Sequence, residues 1–331
     1  MNGPIDHAAV ERLADELQPT LDGIETARQG YRSAAIQRFA LSIGGGIAIA
    51  VVGLLVLASP IFLFLGLVAA IFGCSVWATK PRREFKDEAA AAIIPAVCEA
   101  VGGLDYARDP SGFEGIGRFT EIGVIGSHNR STYSDLLSGS HRDTEFRMVH
   151  ALLRRRKSTT TGVGSSRRRG SSTHTVFKGY LFSISVPKEI PGPILIARDH
   201  GGIGNALGGF FRKFDGMRRV SFEDPEFERR FEVYAPAPQT AQQVIGAGLR
   251  QTFCLIDDLF SGGGLQAAFD GNVFLMAVRS DESLTDAFTF LSPLQNSRAV
   301  VTHLVEQLTL PRRVIDYLHG ERPAELAGSA A

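Results

Sequence analysis

The chain has 331 residues, 44% hydrophobic and 21% charged, with 35 basic side chains against 35 acidic ones. Zero net charge points to no particular partner, and the length allows one folded domain with a sizeable core beside smaller elements. The three cysteines, Cys74, Cys98 and Cys254, are far apart and show no CxxC or Cys/His spacing. They read as reduced structural thiols, with neither a disulfide framework nor a zinc site.

Residues 1–38 are expected to form a cytoplasmic amphipathic helical segment. After Asp6, a candidate N-cap, Val10, Leu13, Leu17, Thr20, Ile24, Ala27, Tyr31 and Ala34 recur three and four apart, with one polar defect beside Pro19. Such heptads can self-associate or pair within the chain.

The next 41 residues, Phe39 to Thr79, contain no Asp, Glu, Lys, Arg or His and are broken only by Ser59-Pro60. Each half, 39–58 and 61–79, reaches about 30 Å as a helix, the thickness of a bilayer's hydrocarbon core. This is a transmembrane hairpin. Arg28, Arg32 and Arg38 precede it, Lys80, Arg82, Arg83 and Lys86 follow it, and the turn carries no charge, so both termini are expected to be cytoplasmic. Thirty-eight largely polar residues before the run argue against a cleavable signal peptide. Gly46, Ala50 and Gly53 on the first span repeat the spacing of Gly66, Ala70 and Gly73 on the second. Reversal at Ser59-Pro60 would set Gly46 level with Gly73 and Gly53 level with Gly66, a seam of small residues.

Residues 80–104 are expected to form a post-membrane helix with an apolar stripe at Ala90, Ile94, Val97, Val101 and Leu104, interrupted by Pro95. Residues 105–320 then form an α+β domain built mainly on antiparallel sheet, with C-terminal helices. Its expected strands are 121–125, 132–137, 145–153, 175–186, 193–197, 218–222 and 231–234. A helix follows over 239–260, with a break near Gly246 and Gly248. Strands 265–269 and 273–278 flank Asp270-Gly271-Asn272, a hairpin signal. Helices are expected over 297–308 and after Pro311, and a disordered tail over 321–331. In Phe222 to Tyr234, Asp224 is placed to cap a helical turn that begins at Pro225, and Phe227 and Phe231 stack at i, i+4 before a half-buried strand.

The pieces 177–184, 220–234 and 269–278, in that order behind a membrane hairpin, resemble the DUF3137 family of bacterial membrane proteins. The resemblance covers the hairpin to about Leu291. It implies a bacterial inner-membrane protein and supplies no catalytic residues, because the family has no established activity.

Arg154, Arg155, Arg156 and Lys157, then a Ser/Thr/Gly spacer, then Arg167, Arg168 and Arg169 are expected to form a flexible basic loop over 154–175. Anionic lipid or a protein partner could meet these charges, whereas nucleic acid is not expected as a partner because no aromatic residue is interleaved. His128, Asp135, His141 and Asp143 have no established metal spacing, Gly262-Gly263-Gly264 and 201–209 lack the context of phosphate loops, and Asp257-Asp258 reads as a solvated surface pair. No cofactor and no catalytic residue is indicated. The preferred reading is an integral membrane protein whose cytoplasmic domain is a non-catalytic interaction or scaffold module. The alternative is a membrane-bound enzyme of unrecognised class, which a cleft gathering His128, His141 and Asp143 would favour.

Overall fold

The computed structural model describes residues 7–111, 113, 115–161, 168–198, 216–260, 264–294 and 297–319. Asp6, Arg167 and the tail 321–331 lie outside them. The chain divides into two compact units, Met1–Ala100 with Leu284–Gln307, and Val101–Ser283 with Leu308–Ala331.

The first unit opens with α1 (His7–Leu57), 51 unbroken residues or about 77 Å of helix. Its buried stripe runs Val10, Ala14, Leu17, Leu21, Ile24 and Arg28. Ala14 and Leu21 occupy the seam where the heptad reading placed Leu13 and Thr20. The shift by one residue removes the polar defect, since Thr20 is exposed. A turn with Ala58 at φ 49° leads to α2 (Ile61–Phe72), a π-helical segment Gly73–Trp77, and α3 (Lys80–Val101). Pro95 does not interrupt α3, whose buried side is wider than expected and includes Phe85, Ala89, Ile93 and Cys98. Phe85 packs between Tyr31 and Phe290, with ring centroids 6.2 and 5.8 Å away. Arg28, 2% exposed, donates to the Phe290 carbonyl at 3.1 Å and to Glu25, whose carboxylate accepts the Leu294 amide at 3.0 Å. These bonds, with Lys86–Asp286 at 2.5 Å, fasten the 284–294 segment to α1 and α3.

Two stretches, within Ala8–Val56 and Ile61–Val101, are helices long and apolar enough to cross a membrane. Only 17% and 6% of their most apolar windows are buried, unlike the core helices of a soluble domain. Among the described residues, every exposed large hydrophobic side chain except Leu291 lies between Ile36 and Trp77. This is a membrane protein with an apolar belt.

The second unit carries a seven-stranded antiparallel sheet: β1 (Leu104–Ala107), β2 (Arg130–His141), β3 (Thr144–Thr161), β4 (Arg168–Arg198), β5 (Arg218–Val220), β6 (Phe231–Ala235) and β7 (Gln266–Arg279). The order is β1-β2-β3-β4-β6-β5, with β7 along β4. Its helices are α4 (Ile116–Glu121), α5 (Pro225–Arg230), α6 (Pro238–Val244), α7 (Ala247–Leu259) and α9 (Leu310–Leu318), and α8 (Ser297–Leu308) lies mostly in the first unit. One sheet face buries Val149, Ala151, Leu153, Leu181 and Leu275 under Phe119, Ile122, Val124 and Ile125. On the other, Phe274 meets Phe253 of α7 at 6.0 Å, and Phe253 meets Phe227 and Phe231. Asp224 caps α5 by accepting the Phe227 amide at 3.2 Å, with Pro225 in its first turn.

Four expected elements differ. Residues 121–125 are not a strand. Gly115 and Gly123, at φ 94° and 84°, bracket a helical turn whose apolar residues plug the sheet. Asp270-Gly271-Asn272 is no hairpin turn, because both flanking segments pair with the same strand, β4, and form one continuous β7 with Gly271 at φ 59°. The expected strands 175–186 and 193–197 likewise merge into β4. The basic loop is a two-stranded ribbon: β3 and β4 stay in register from Arg154↔Thr175 to Thr161↔Arg168. Its Ser/Thr composition suits strand as well as linker once a partner strand supplies backbone bonds.

Candidate ligand cavity

The organising feature of the second unit is a long excursion in β4. From Ser185↔Val273 to Ile194↔Phe269, β4 spends the eight residues 186–193 where β7 spends the three residues 270–272, with Ile190↔Gly271 the sole pairing between. Pro187 and Pro191 lack the N–H needed for a ladder, and Gly192 at φ 84° turns the chain back. The excursion leaves room for a cavity of about 570 Å³. Ile184, Ile190, Phe269, Leu249, Ile315 and Leu318 supply its apolar walls, drawn from β4, β7, α7 and α9. Its few polar lining groups are Thr144, Ser185, Glu189, Thr240, Gln243 and His319.

At the Thr144 side, the β2–β3 turn is made by Arg142 and Asp143 at φ 51° and 57°, a two-residue hairpin of left-handed conformation. That geometry accounts for Asp143 as a turn residue. His141 Nε2 lies 2.7 Å from Asp316 Oδ1, the same oxygen that Arg142 Nε approaches at 2.7 Å. Thr144 Oγ1 donates to the Arg142 carbonyl at 3.3 Å and lies 3.4 Å from His319 Nε2. The structure thus brings His141 to Asp316 on α9. It does not gather His128 and Asp143 around it, and His128 contacts the Gly126 carbonyl at 3.3 Å.

Asp135, named from sequence as a metal candidate, is fully buried at a β2 bulge with φ 61° and is held by Arg108 at 2.5 Å and the Tyr106 hydroxyl at 2.8 Å. Burial, then the Asp135 charge, pushes the Tyr106 phenol above its ordinary range. Among the described residues no cluster of three His, Cys, Asp or Glu has metal-binding geometry. Asp257 is no solvated group: it is 3% exposed and pairs with Arg198 at 3.0 Å. Asp199-His200, the 201–209 segment and 261–263 lie outside the described residues.

In the ribbon, Arg154, Arg155, Arg156 and Lys157 are exposed and alternate between its two faces, while Arg168 and Arg169 continue the opposite strand. Asn129 anchors the base, accepting the Arg156 amide at 2.8 Å and donating to the Arg156 carbonyl at 2.9 Å. In the hairpin, a Cβ on Gly46 would lie 2.5 Å from the Gly66 carbonyl and 2.7 Å from Ala70 Cβ. Gly66 in turn faces Ala50, Gly53 faces Phe62, and Gly73 faces Ser42. The small residues do meet across the two helices, but offset by about one turn from the expected pairs.

Residues 175–319 match the DUF3137 family, described as a protein of unknown function. The match begins within β4 and ends after α9, so it contains all of the cavity lining except Thr144 and leaves the hairpin outside. The search of curated proteins gave no match. Among solved structures, the mycobacterial trehalose monomycolate transport factor A, TtfA, aligns at 10% identity over 66% of this chain and 92% of its own, with a TM-score of 0.35.

Proposed function

We propose that this DUF3137 chain is an integral protein of the bacterial inner membrane, with both termini and the α+β domain cytoplasmic, acting as a non-catalytic binding module for an amphipathic molecule with one aliphatic chain. The cavity at the β4 excursion carries this reading. A volume of about 570 Å³ with apolar walls and a handful of polar groups is the usual form of a small-molecule site. Topology rests on charge: Arg32, Lys80, Arg82 and Arg83 are exposed beside the apolar belt, and the turn between the spans has none. Next to the cavity, His141 and Arg142 both engage the Asp316 carboxylate, and on its wall the Thr144 hydroxyl lies 3.4 Å from His319 Nε2.

The test uses the full chain in lipid nanodiscs titrated with a dansylated undecanoic acid, against protein-free nanodiscs. Saturable binding is expected, and Leu249→Trp, which fills the cavity from its half-buried rim, should weaken it at least about tenfold. Equal binding by the Leu249→Trp protein would sink the assignment.

A further inference from the structure

Arg38 stands where the polar part of α1 gives way to the apolar run that starts at Phe39. Its guanidinium lies over the ring of Trp77, 5.6 Å from the centroid, at the far end of the second apolar segment. Trp77 is the single tryptophan of the chain. Arg and Trp together at such a boundary mark the level of the lipid headgroups. Yet Arg38 Nη1 is buried with no acceptor among the described residues. A buried guanidinium N–H is strongly unfavourable until an acceptor is supplied.

Beside it is a cleft of about 270 Å³ lined by Ala27, Gly30 and Ala34 of α1 and by Pro81 and Glu84 of α3. The small residues leave the floor open, and a Cβ on Gly30 would meet no atom within 4 Å. Glu84, 40% exposed, has Lys80 at 3.4 Å as its ion-pair partner. A donor-poor acid therefore lies on the same cleft as an acceptor-poor guanidinium. Water could satisfy each separately, but a molecule carrying an anion next to a hydrogen-bond donor would satisfy both.

We propose that this cleft binds a phospholipid headgroup, its phosphate on Arg38 and its terminal hydroxyl or ammonium on Glu84. The inference rests on the reading of 39–79 as spanning a bilayer, and is independent of the ligand assigned to the cavity. It predicts selection for phosphatidylglycerol and phosphatidylethanolamine, which carry donors beyond the phosphate, over phosphatidylcholine, which carries none. Arg suits the phosphate by its planar paired donors.

Trp77 reports on the site directly. The full chain is reconstituted in mixtures of one brominated and one unbrominated phospholipid, and quenching of Trp77 gives the relative association of each headgroup. Brominated phosphatidylglycerol and phosphatidylethanolamine are each expected to be favoured about fivefold over phosphatidylcholine. Arg38→Gln should abolish the preference, and so should Gly30→Leu, which occupies the open floor without removing charge. Preference for phosphatidylglycerol alone would reduce the effect to net charge and overturn the two-point site, as would retention of the preference in Gly30→Leu. Equal quenching by all three lipids would overturn the headgroup site while leaving the membrane reading intact. No quenching by any brominated lipid would overturn the membrane reading itself.

Discussion

Asp224 joins two helices of the second unit, α5 and α7, and its removal should loosen both. Its carboxylate caps α5 through the Phe227 amide at 3.2 Å and accepts Arg250 Nε of α7 at 3.0 Å. Losing an N-cap costs about 1 kcal/mol. Arg250, with a side chain 15% exposed, would keep the Ile245 carbonyl at 3.1 Å and the Phe222 ring at 5.3 Å but lose its counter-charge. A hydrogen bond to a charged group is worth about 1.5–3 kcal/mol. The sum for Asp224→Ala is about 3 kcal/mol, or about a 150-fold loss of hydrogen-exchange protection in α5 and α7 of the full chain in nanodiscs. Asp224→Asn keeps a capping oxygen and should lose about half as much. The dependence on pH follows from the same contacts. Arg250's hydrogen bond first, and the Phe227 amide after it, hold the Asp224 carboxyl below its ordinary 3.8, against burial that raises it. A depressed folded pKa means that the stabilisation is complete above about pH 3.8 and disappears as pH falls through the folded value. The Ala variant should lack that part of the acid transition. Exchange in α5 and α7 unchanged by Asp224→Ala, or full additivity of Asp224→Ala with Arg250→Ala, would refute the reasoning.

Gly46→Val must push the spans apart, because the new side chain runs into the Gly66 carbonyl and Ala70. Spin labels at the exposed Ile43 and Phe72 should report a longer distance, and an unchanged distance would remove the seam from the hairpin's stability. Gly179→Ala should prevent β4 from pairing with β7: φ is 148°, and the added methyl meets the Val278 carbonyl and lies 2.6 Å from the Ser280 amide nitrogen. Limited proteolysis of the full chain should show the second unit degraded, and native resistance would count against the account of the sheet. Burial pushes the Cys254 thiol up to about 11, so at pH 8 only about one molecule in a thousand carries the thiolate. Mass spectrometry after maleimide treatment should find Cys254 unlabelled until the protein is denatured, and prompt labelling would contradict its burial.

The parts legible in the sequence are those whose signal is carried by consecutive residues. A run from Phe39 to Thr79 without charge is a property of that run alone, as is the Asp224-Pro225 cap with its stacked Phe227 and Phe231. Register is different. The small residues of the hairpin could be named, but which pairs with which depends on how the two helices pack against each other. The heptads of α1 slid by one for a similar reason: Leu13 and Thr20 fit the three-and-four spacing as well as Ala14 and Leu21 do, and only packing chose the second pair.

Long-range pairing explains the larger misreadings and the missed cavity together. Asp270-Gly271-Asn272 has the residues of a tight turn, and so does a bulge, since both need positive φ at glycine. What separates the two is whether the flanking segments face each other or a third strand, and β4 is some eighty residues away in sequence. The Ser/Thr stretch of the ribbon is linker-like until β3 and β4 are seen to stay in register beyond the end of β2. The excursion that opens the cavity was written in Pro187, Pro191 and Gly192, whose placement inside a strand run is itself the mark of a segment that leaves the ladder. Its walls, however, come from β4, β7, α7 and α9, and no window of sequence contains them all. The family match to residues 175–319 encloses almost the whole of that lining, with Thr144 outside it, so the matched segment contains the excursion and nearly every group that faces the cavity. A binding role placed there would therefore belong to the second unit. The hairpin, which lies outside the match, would fix where the domain meets its ligand rather than which ligand it takes.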